Sequence, residues 1–328
     1  MKTIEIGLAA NGPYFCGLME TACSMAMHAN PEYQLRFHVL DAGIAAEDRM
    51  LVERRIADFH PRCVFEWLPV EEKMFAGLPK WNGGYMVYTR LLLPQLLKDI
   101  DWCIYCDCDF TWMRDVAELW EMRDDTFAML GTRDGTEWTL DIEEKWFKEH
   151  GFAFNRDDYF CAGLTFFNLK KFRDDGIAKK CLELLQLHPP FNDQSVLNIT
   201  CLGRVKLIPQ VWQRFTEVVT QEELDAAVVI HHAGEVPWTK MRGLTLLSDT
   251  RLIWHCVNAR IRGISLWKSL RLHYSAWEIV FRRLLVYVVR CPGLRQMMEF
   301  VACLGKHPGV WKFLDMRSRV LHVHLRRI

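Results

Sequence analysis

Asp99-Ile100-Asp101-Trp102-Cys103-Ile104-Tyr105-Cys106-Asp107-Cys108-Asp109 decides the fold. The apolar run Trp102 to Cys106 stands between two Asp-x-Asp triplets and reads as a short buried strand. Similar β-rich runs occur at Ile4–Ala10, Leu35–Leu40, Cys63–Pro69, Thr126–Gly131, Gly163–Leu169, Val205–Pro209 and Ala227–His231. Between them lie amphipathic stretches at Cys16–His28, Ala46–Phe59, Met86–Leu97 and Lys170–Leu187. This alternation predicts an α/β fold with a mostly parallel central sheet and helices on both faces. In such sheets ligands bind outside the carboxyl ends of the strands.

That rule separates the two triplets. Asp99 and Asp101 precede the strand, whereas Asp107 and Asp109 follow it. Residues two apart on an extended chain share a face, so Asp107 and Asp109 can converge on one cation while Cys108 points away. Mg²⁺ or Mn²⁺ takes a pair of carboxylates and completes its shell with substrate phosphates. The plainer reading is of carboxylates that end a strand and cap a turn. His231-His232-Ala233-Gly234 also follows a strand, and a neutral imidazole at His231 would supply a third ligand or a structural hydrogen bond. Gly234 permits a tight turn or close approach of the backbone to a phosphate.

Composition sets the outer bounds. The chain has 328 residues, of which 50% are apolar and 25% charged, which excludes a disordered protein. Its 41 basic and 41 acidic residues balance, but unevenly: residues 251–328 carry 15 Lys and Arg against 3 Asp and Glu, net +12, leaving −12 elsewhere. The 12 Cys are scattered and Met1 leads directly into a strand, so a reducing cytosol is expected, with no signal peptide. The longest apolar stretch of the tail, Ile279 to Val289, is split by Arg282-Arg283, so no membrane span is expected. A zinc site on Cys103, Cys106 and Cys108 is disfavoured, since alternation spreads them over both faces.

Several segments, taken in order, resemble the family-8 retaining glycosyltransferases, particularly the bacterial lipopolysaccharide or lipooligosaccharide galactosyl- and glucosyltransferases. They are Ala9-Ala10-Asn11 to Tyr14, Phe37 to Ile44, Tyr88-Thr89-Arg90-Leu91, Asp107-Cys108-Asp109, Tyr159 to Gly163 with Asn168-Leu169, Asn192-Asp193-Gln194, and His231 to Trp238. The resemblance covers about residues 1 to 250 and implies a GT-A-like nucleotide-binding domain. It implies Mn²⁺ or Mg²⁺ on Asp107, Asp109 and His231. A UDP-sugar, UDP-glucose or UDP-galactose, would bind through Ala9, Asn11, Tyr14, Arg90, Asp107, Cys108, Asp109, Gly234 and Lys240. Gln194 and Asp193 would be catalytic, with Gln194 either the nucleophile or the stabiliser of an ion pair. Four positions depart from the family pattern: Val236 replaces a Lys, for which Lys240 or Arg242 would substitute, Cys161 and Asn11 replace Asn and Asp, and Pro13 replaces Asn.

The composition shift near residue 255 predicts a catalytic domain over 1–255 and a basic amphipathic extension over 256–328. In the extension Trp267, Leu270, Tyr274, Trp277, Phe281, Tyr287, Phe300, Trp311 and Phe313 interleave with Arg271, Arg282, Arg283, Arg290, Arg295, Lys312, Arg317 and Arg319. Such helices lie in the interface of an anionic membrane, or else pack on the core. A nucleic-acid partner is not expected, because the apolar fraction is too high for a phosphate-only surface. The resemblance, taken with the basic tail, implies a hexosyltransferase that extends a lipid-linked cell-surface glycan at the inner face of the plasma membrane. A same-fold enzyme with a soluble acceptor and a silent sugar-nucleotide-binding protein are the alternatives.

Overall fold

A computed structural model describes residues 2–81, 84–134, 136–215, 220–234, 236–239 and 246–290. Lys240, Arg242 and the tail beyond residue 290 lie outside the described residues. The strands are β1 (Lys2–Ala10), β2 (Tyr33–Asp41), β3 (Cys63–Pro69), β4 (Trp102–Cys106), β5 (Phe110–Trp112), β6 (Met129–Arg133), β7 (Phe160–Asn168), β8 (Val205–Ile208), β9 (Arg214–Phe215) and β10 (Val229–His231).

Seven of them form one sheet in the order β3-β2-β1-β4-β7-β6-β8. The β1–β2, β2–β3, β1–β4 and β6–β8 pairs are parallel, while β7 runs antiparallel to both β4 and β6. Strand order therefore reverses at β1, with β2 on one side and β4 on the other. The crevice outside the carboxyl ends of β1 and β4 is the topological switch point, where ligands bind in such sheets. Asn11 and Asp107 are the first residues past those two strand ends.

The fold brings distant segments to this crevice through short-range rules. β5 follows directly on Asp109 and pairs antiparallel with β10, placing Phe110 opposite His231. The helix Phe15–His28 supports β5 with buried polar side chains: Thr21 donates to the Phe110 carbonyl at 2.8 Å, and the Trp112 N–H donates to Ser24 at 3.0 Å. Unpaired backbone groups of a short buried strand would be costly, and these contacts satisfy them. Gly163 on β7 passes beneath the stacked Phe110 and His231 rings. A Cβ there would lie 3.0 Å from both, so only glycine fits without displacement.

Some expected elements differ in form. The Met86–Leu97 helix is a 3₁₀ turn over Met86–Leu92 followed by one α turn, Leu93–Leu96, with Pro94 in its opening positions. The Lys170–Leu187 helix is interrupted at Asp175-Gly176 into Leu169–Asp174 and Ile177–Leu184. The helix Glu137–Glu149 and the strand β5 had no counterpart in the pattern reading.

The chain divides into two compact units, residues 1–214 with 227–231, and residues 215–226 with 232–328. The second carries helices Asp249–Arg262, Leu266–Arg271 and Ala276–Arg290 around a small core of Leu247, Leu270, Tyr274 and Ile279. Ser248 and Ser265 cap the first two by accepting from the N–H groups of Arg251 and Lys268, which fixes where each begins. Among the described residues no helix is long and apolar enough to cross a membrane.

Candidate active site

Arg90 is the centre of the site's charge balance. Its side chain is 3% exposed and its guanidinium meets Asp107 Oδ1 at 2.7 Å and Asp193 Oδ2 at 3.0 Å. The same group donates to the Ala162 and Val87 carbonyls and stacks 4.4 Å from the Tyr105 ring. Burial opposes the charge, but the two carboxylates hold the guanidinium firmly protonated. A guanidinium has five N–H groups, so one on each terminal nitrogen remains for a ligand.

Asp107 and Asp109 turn to different partners. Asp107 Oδ1 also accepts from the Tyr105 hydroxyl at 2.9 Å, and its N–H donates to the Gly163 carbonyl on β7 at 2.9 Å. Burial raises the Asp107 carboxyl above its ordinary value; Arg90 opposes that rise and Asp109 adds to it. Asp109 Oδ1 lies 3.5 Å from His231 Nε2. Burial alone would lower the His231 imidazole, yet Asp109, with Cys161 beside it, lifts it to about 10. Burial likewise lifts Asp193 to about 6, against the pull of Arg90 and with the repulsion of Asp107. Three carboxylates in one buried crevice thus share one guanidinium and one imidazole.

The loop after β1 lies beside them. Tyr14 is raised above its ordinary value by burial first and by Asp109 and Asp107 next. The Cys108 thiol donates to the Ala9 carbonyl at 3.2 Å, so Ala9 and Cys108 tie the end of β1 to the loop after β4. Asn11 lines a cavity of about 310 Å³ with Ala42, Val70, Phe75, Tyr85 and Thr89. Gly234 adopts φ +88, as a tight turn requires, within the second unit.

Gln194 is fixed on all sides. Its Oε1 accepts from the Ala162 N–H at 3.0 Å, and its Nε2 donates to Asp134 at 3.0 Å and to the Tyr159 hydroxyl at 3.2 Å. Helix Asp193–Thr200 begins at Asn192, whose φ of 49 is strained for a residue with a Cβ; its Oδ1 lies 2.6 Å from the buried Tyr88 hydroxyl. Sequence reasoning missed Asp134 and Glu143, which line this network. Asp134 sits just beyond β6, so its place at a strand end was the available signal.

Donor chemistry fits a hard divalent cation: two carboxylates and an imidazole at one strand-end crevice. Among the described residues no three His, Cys, Asp or Glu side chains already stand in ligating positions, because Asp107 faces Arg90 while Asp109 faces His231. A cation would thus draw both carboxylates from their present partners. The zinc alternative loses support. The thiols of Cys103, Cys106 and Cys108 meet three different carbonyls, and burial pushes all three up, away from thiolate.

Residues 5–242 match the profile of glycosyl transferase family 8. The chain belongs to that family. It is 26% identical over 200 residues to a protein of Haemophilus influenzae provisionally named a glycosyltransferase, covering 60% of this chain and 58% of that one. It is 23% identical over 260 residues to the lipopolysaccharide 1,3-galactosyltransferase of Salmonella typhimurium, covering 72% of each. Among solved structures, the bifunctional glycosyltransferase WbbM matches with a TM-score of 0.67 at 16% identity, covering 84% of this chain and 52% of that one. The galactosyltransferase LgtC, solved with donor and acceptor sugar analogues, matches with a TM-score of 0.64 at 24% identity, covering 80% of this chain and 96% of that one. This family-8 chain therefore has the GT-A-like fold, and it spans a little over half the length of the Haemophilus protein and of WbbM.

Proposed function

We propose that this chain is a metal-dependent retaining hexosyltransferase that moves galactose or glucose from a UDP-sugar to a lipopolysaccharide-like acceptor. One observation carries the reading: Asp107, paired with Arg90, and Asp109, 3.5 Å from His231, stand side by side at the switch-point crevice next to the Arg90–Asp193 pair. Mn²⁺ or Mg²⁺ bound there would supply Lewis acidity to the leaving diphosphate. The donor sits with its sugar over Asp193 and Gln194 and its nucleoside toward Asn11 and Tyr14. Ala9 and Cys108 shape the backbone beneath it.

The Gln194 amide supports transfer on one face of the sugar. Its oxygen accepts from the Ala162 N–H and keeps a lone pair for the positive charge that develops at the anomeric carbon. An amide is a weak nucleophile, so the bond to the diphosphate breaks as the acceptor oxygen attacks from the same side, and the acceptor's proton passes to the departing phosphate oxygen. Asp193 and Arg90 orient the sugar hydroxyls, and misplacing either costs turnover through lost alignment.

Residues 1–255 form the catalytic domain in this reading, and 256–328 the extension that holds it on an anionic membrane surface at the cytoplasmic side. Support comes from helix Ala276–Arg290, where Trp277, Val280, Phe281, Leu284 and Tyr287 are all exposed at helical spacing. A screen of UDP-sugars with Mn²⁺ tests the proposal. Metal-dependent release of UDP from UDP-galactose or UDP-glucose is expected; binding without cleavage for every donor would make the chain a silent binding protein.

A further inference from the structure

Asn192 stands where local geometry asks for glycine. Phe191 to Gln194 form a β-turn, closed by the Gln194 N–H donating to the Phe191 carbonyl at 3.1 Å, and Asn192 is its first central residue at φ 49, ψ −113. That is the type II′ setting, in which a Cβ is crowded and glycine is the usual occupant. Among the described residues the one other positive φ outside glycine is at His188, whose ψ of 56 places it in the common left-handed region. The Asn192 backbone is strained; the reason for keeping a side chain there must lie in the side chain.

That side chain is buried, and its Oδ1 lies 2.6 Å from the Tyr88 hydroxyl. The Pro79 carbonyl lies at the same distance from that hydroxyl, so Tyr88 shares its one proton between the two. The Tyr88 ring packs against Phe75 and Tyr85, with centroids 6.0 and 6.4 Å away, and both of these line the cavity beside Asn11. Tyr88 and Arg90 also belong to one 3₁₀ turn, Met86–Leu92. Arg90 holds the Asp193 carboxylate at 3.0 Å, while Tyr88 holds the residue just before it. A carboxylate tied only by its own ion pair can swing; a second anchor on the preceding residue fixes the turn that carries it. Glycine would relax that turn and lose the anchor. Alanine would keep the strain and lose the anchor as well.

We propose that Tyr88 and Asn192 are positioning residues, whose bond holds a strained turn so that the Asp193 carboxylate and the Gln194 amide stand in register with the donor sugar. The inference rests on the reading of Asp193 and Gln194 as the groups that meet that sugar. Strained backbone persists where the surroundings over-determine it, and a misplacement of about 1 Å can cost about a hundredfold in rate.

The test uses the full chain. Mn²⁺-dependent UDP-sugar cleavage gives kcat and KM, calorimetric titration with UDP gives nucleotide affinity, and urea midpoints give stability. Asn192→Gly should lower kcat about tenfold or more, with UDP affinity within about twofold of wild type. Its urea midpoint should equal or exceed that of wild type, because relief of strain offsets the lost bond. Asn192→Ala should lose as much kcat and unfold at lower urea than Asn192→Gly. Tyr88→Phe should lose kcat as Asn192→Gly does, and the double variant should be no slower than either single one, since both changes remove the same bond. Wild-type kcat in Asn192→Gly, losses that multiply in the double variant, or UDP affinity that falls in parallel with kcat would overturn the proposal. So would an Asn192→Gly midpoint below that of Asn192→Ala. If the wild-type chain cleaves no UDP-sugar, the functional reading fails; if it cleaves and the variants cleave equally well, only the clamp fails.

Discussion

Arg90 and Asp109 belong to the same crevice but should respond differently to substitution. Removing the buried guanidinium leaves Asp107 and Asp193 facing each other without a counter-charge, and breaking a buried pair in this way costs about 3–5 kcal/mol. Arg90→Met should therefore lower the unfolding free energy by that amount. Asp109 lies 3.5 Å from His231, and a buried imidazole that loses its carboxylate partner can shed its proton, so Asp109→Asn should cost less metal-free stability than Arg90→Met and should remove Mn²⁺-dependent donor cleavage. Urea unfolding of the metal-free variants beside a cleavage assay separates the two. Equal destabilisation by both, with cleavage retained in Asp109→Asn, would make Asp109 a structural carboxylate. At this scale the sequence was informative where residue type and strand position coincide, as at Asp107, Asp109 and His231. It was silent at Glu143, because a buried carboxylate looks like a surface one until its neighbours are known.

Between elements, helix Glu137–Glu149 meets the helix that carries Gln194 through Glu143. The buried Ser195 hydroxyl donates to Glu143 Oε1 at 2.5 Å, and burial, only partly offset by that bond, raises the Glu143 carboxyl to about 7. A carboxyl whose folded value is raised binds its proton more tightly folded than unfolded. Its contribution is thus complete below its unfolded value near 4.5 and is lost as pH rises through about 7. Stability should fall by about 3 kcal/mol from this group between about pH 4 and pH 8, and Glu143→Gln should flatten that slope. Urea midpoints across that range check it; an unchanged slope in the variant would place the titration elsewhere. The elements themselves were legible to different degrees. Apolar runs located β1 to β4 closely: β1 and β2 are nine-residue, largely buried strands, β4 is five residues buried throughout, and β3, at the sheet edge, alternates between half-buried and exposed positions. Periodicity carries no direction, so the antiparallel course of β7 was invisible, and a three-residue strand such as β5 is shorter than any reliable pattern.

For the whole molecule, the separation of charge sets the last expectation. Net +12 lies beyond residue 250, and helix Ala276–Arg290 exposes Trp277 at 73%, Leu284 at 56% and Tyr287 at 57%. Truncating the tail would confuse the question, because Tyr274 donates to the Pro237 carbonyl at 3.1 Å and Leu270 and Ile279 complete a core with Leu247. Changing only the exposed stripe leaves those contacts intact. The full chain should bind vesicles containing anionic lipid at low salt, through apolar insertion plus about 1 kcal/mol for each Lys or Arg near the surface. Raising salt should weaken binding, since the Debye length falls to about 8 Å at physiological ionic strength. Trp277→Ser combined with Leu284→Ser should reduce partitioning at least tenfold while Mn²⁺-dependent cleavage of a soluble donor stays unchanged, because a lipid-linked acceptor gains only in local concentration at the surface. Vesicle sedimentation at two salt concentrations reads both effects. Partitioning by the double variant equal to wild type, or no binding by either at low salt, would assign the stripe to something other than a membrane.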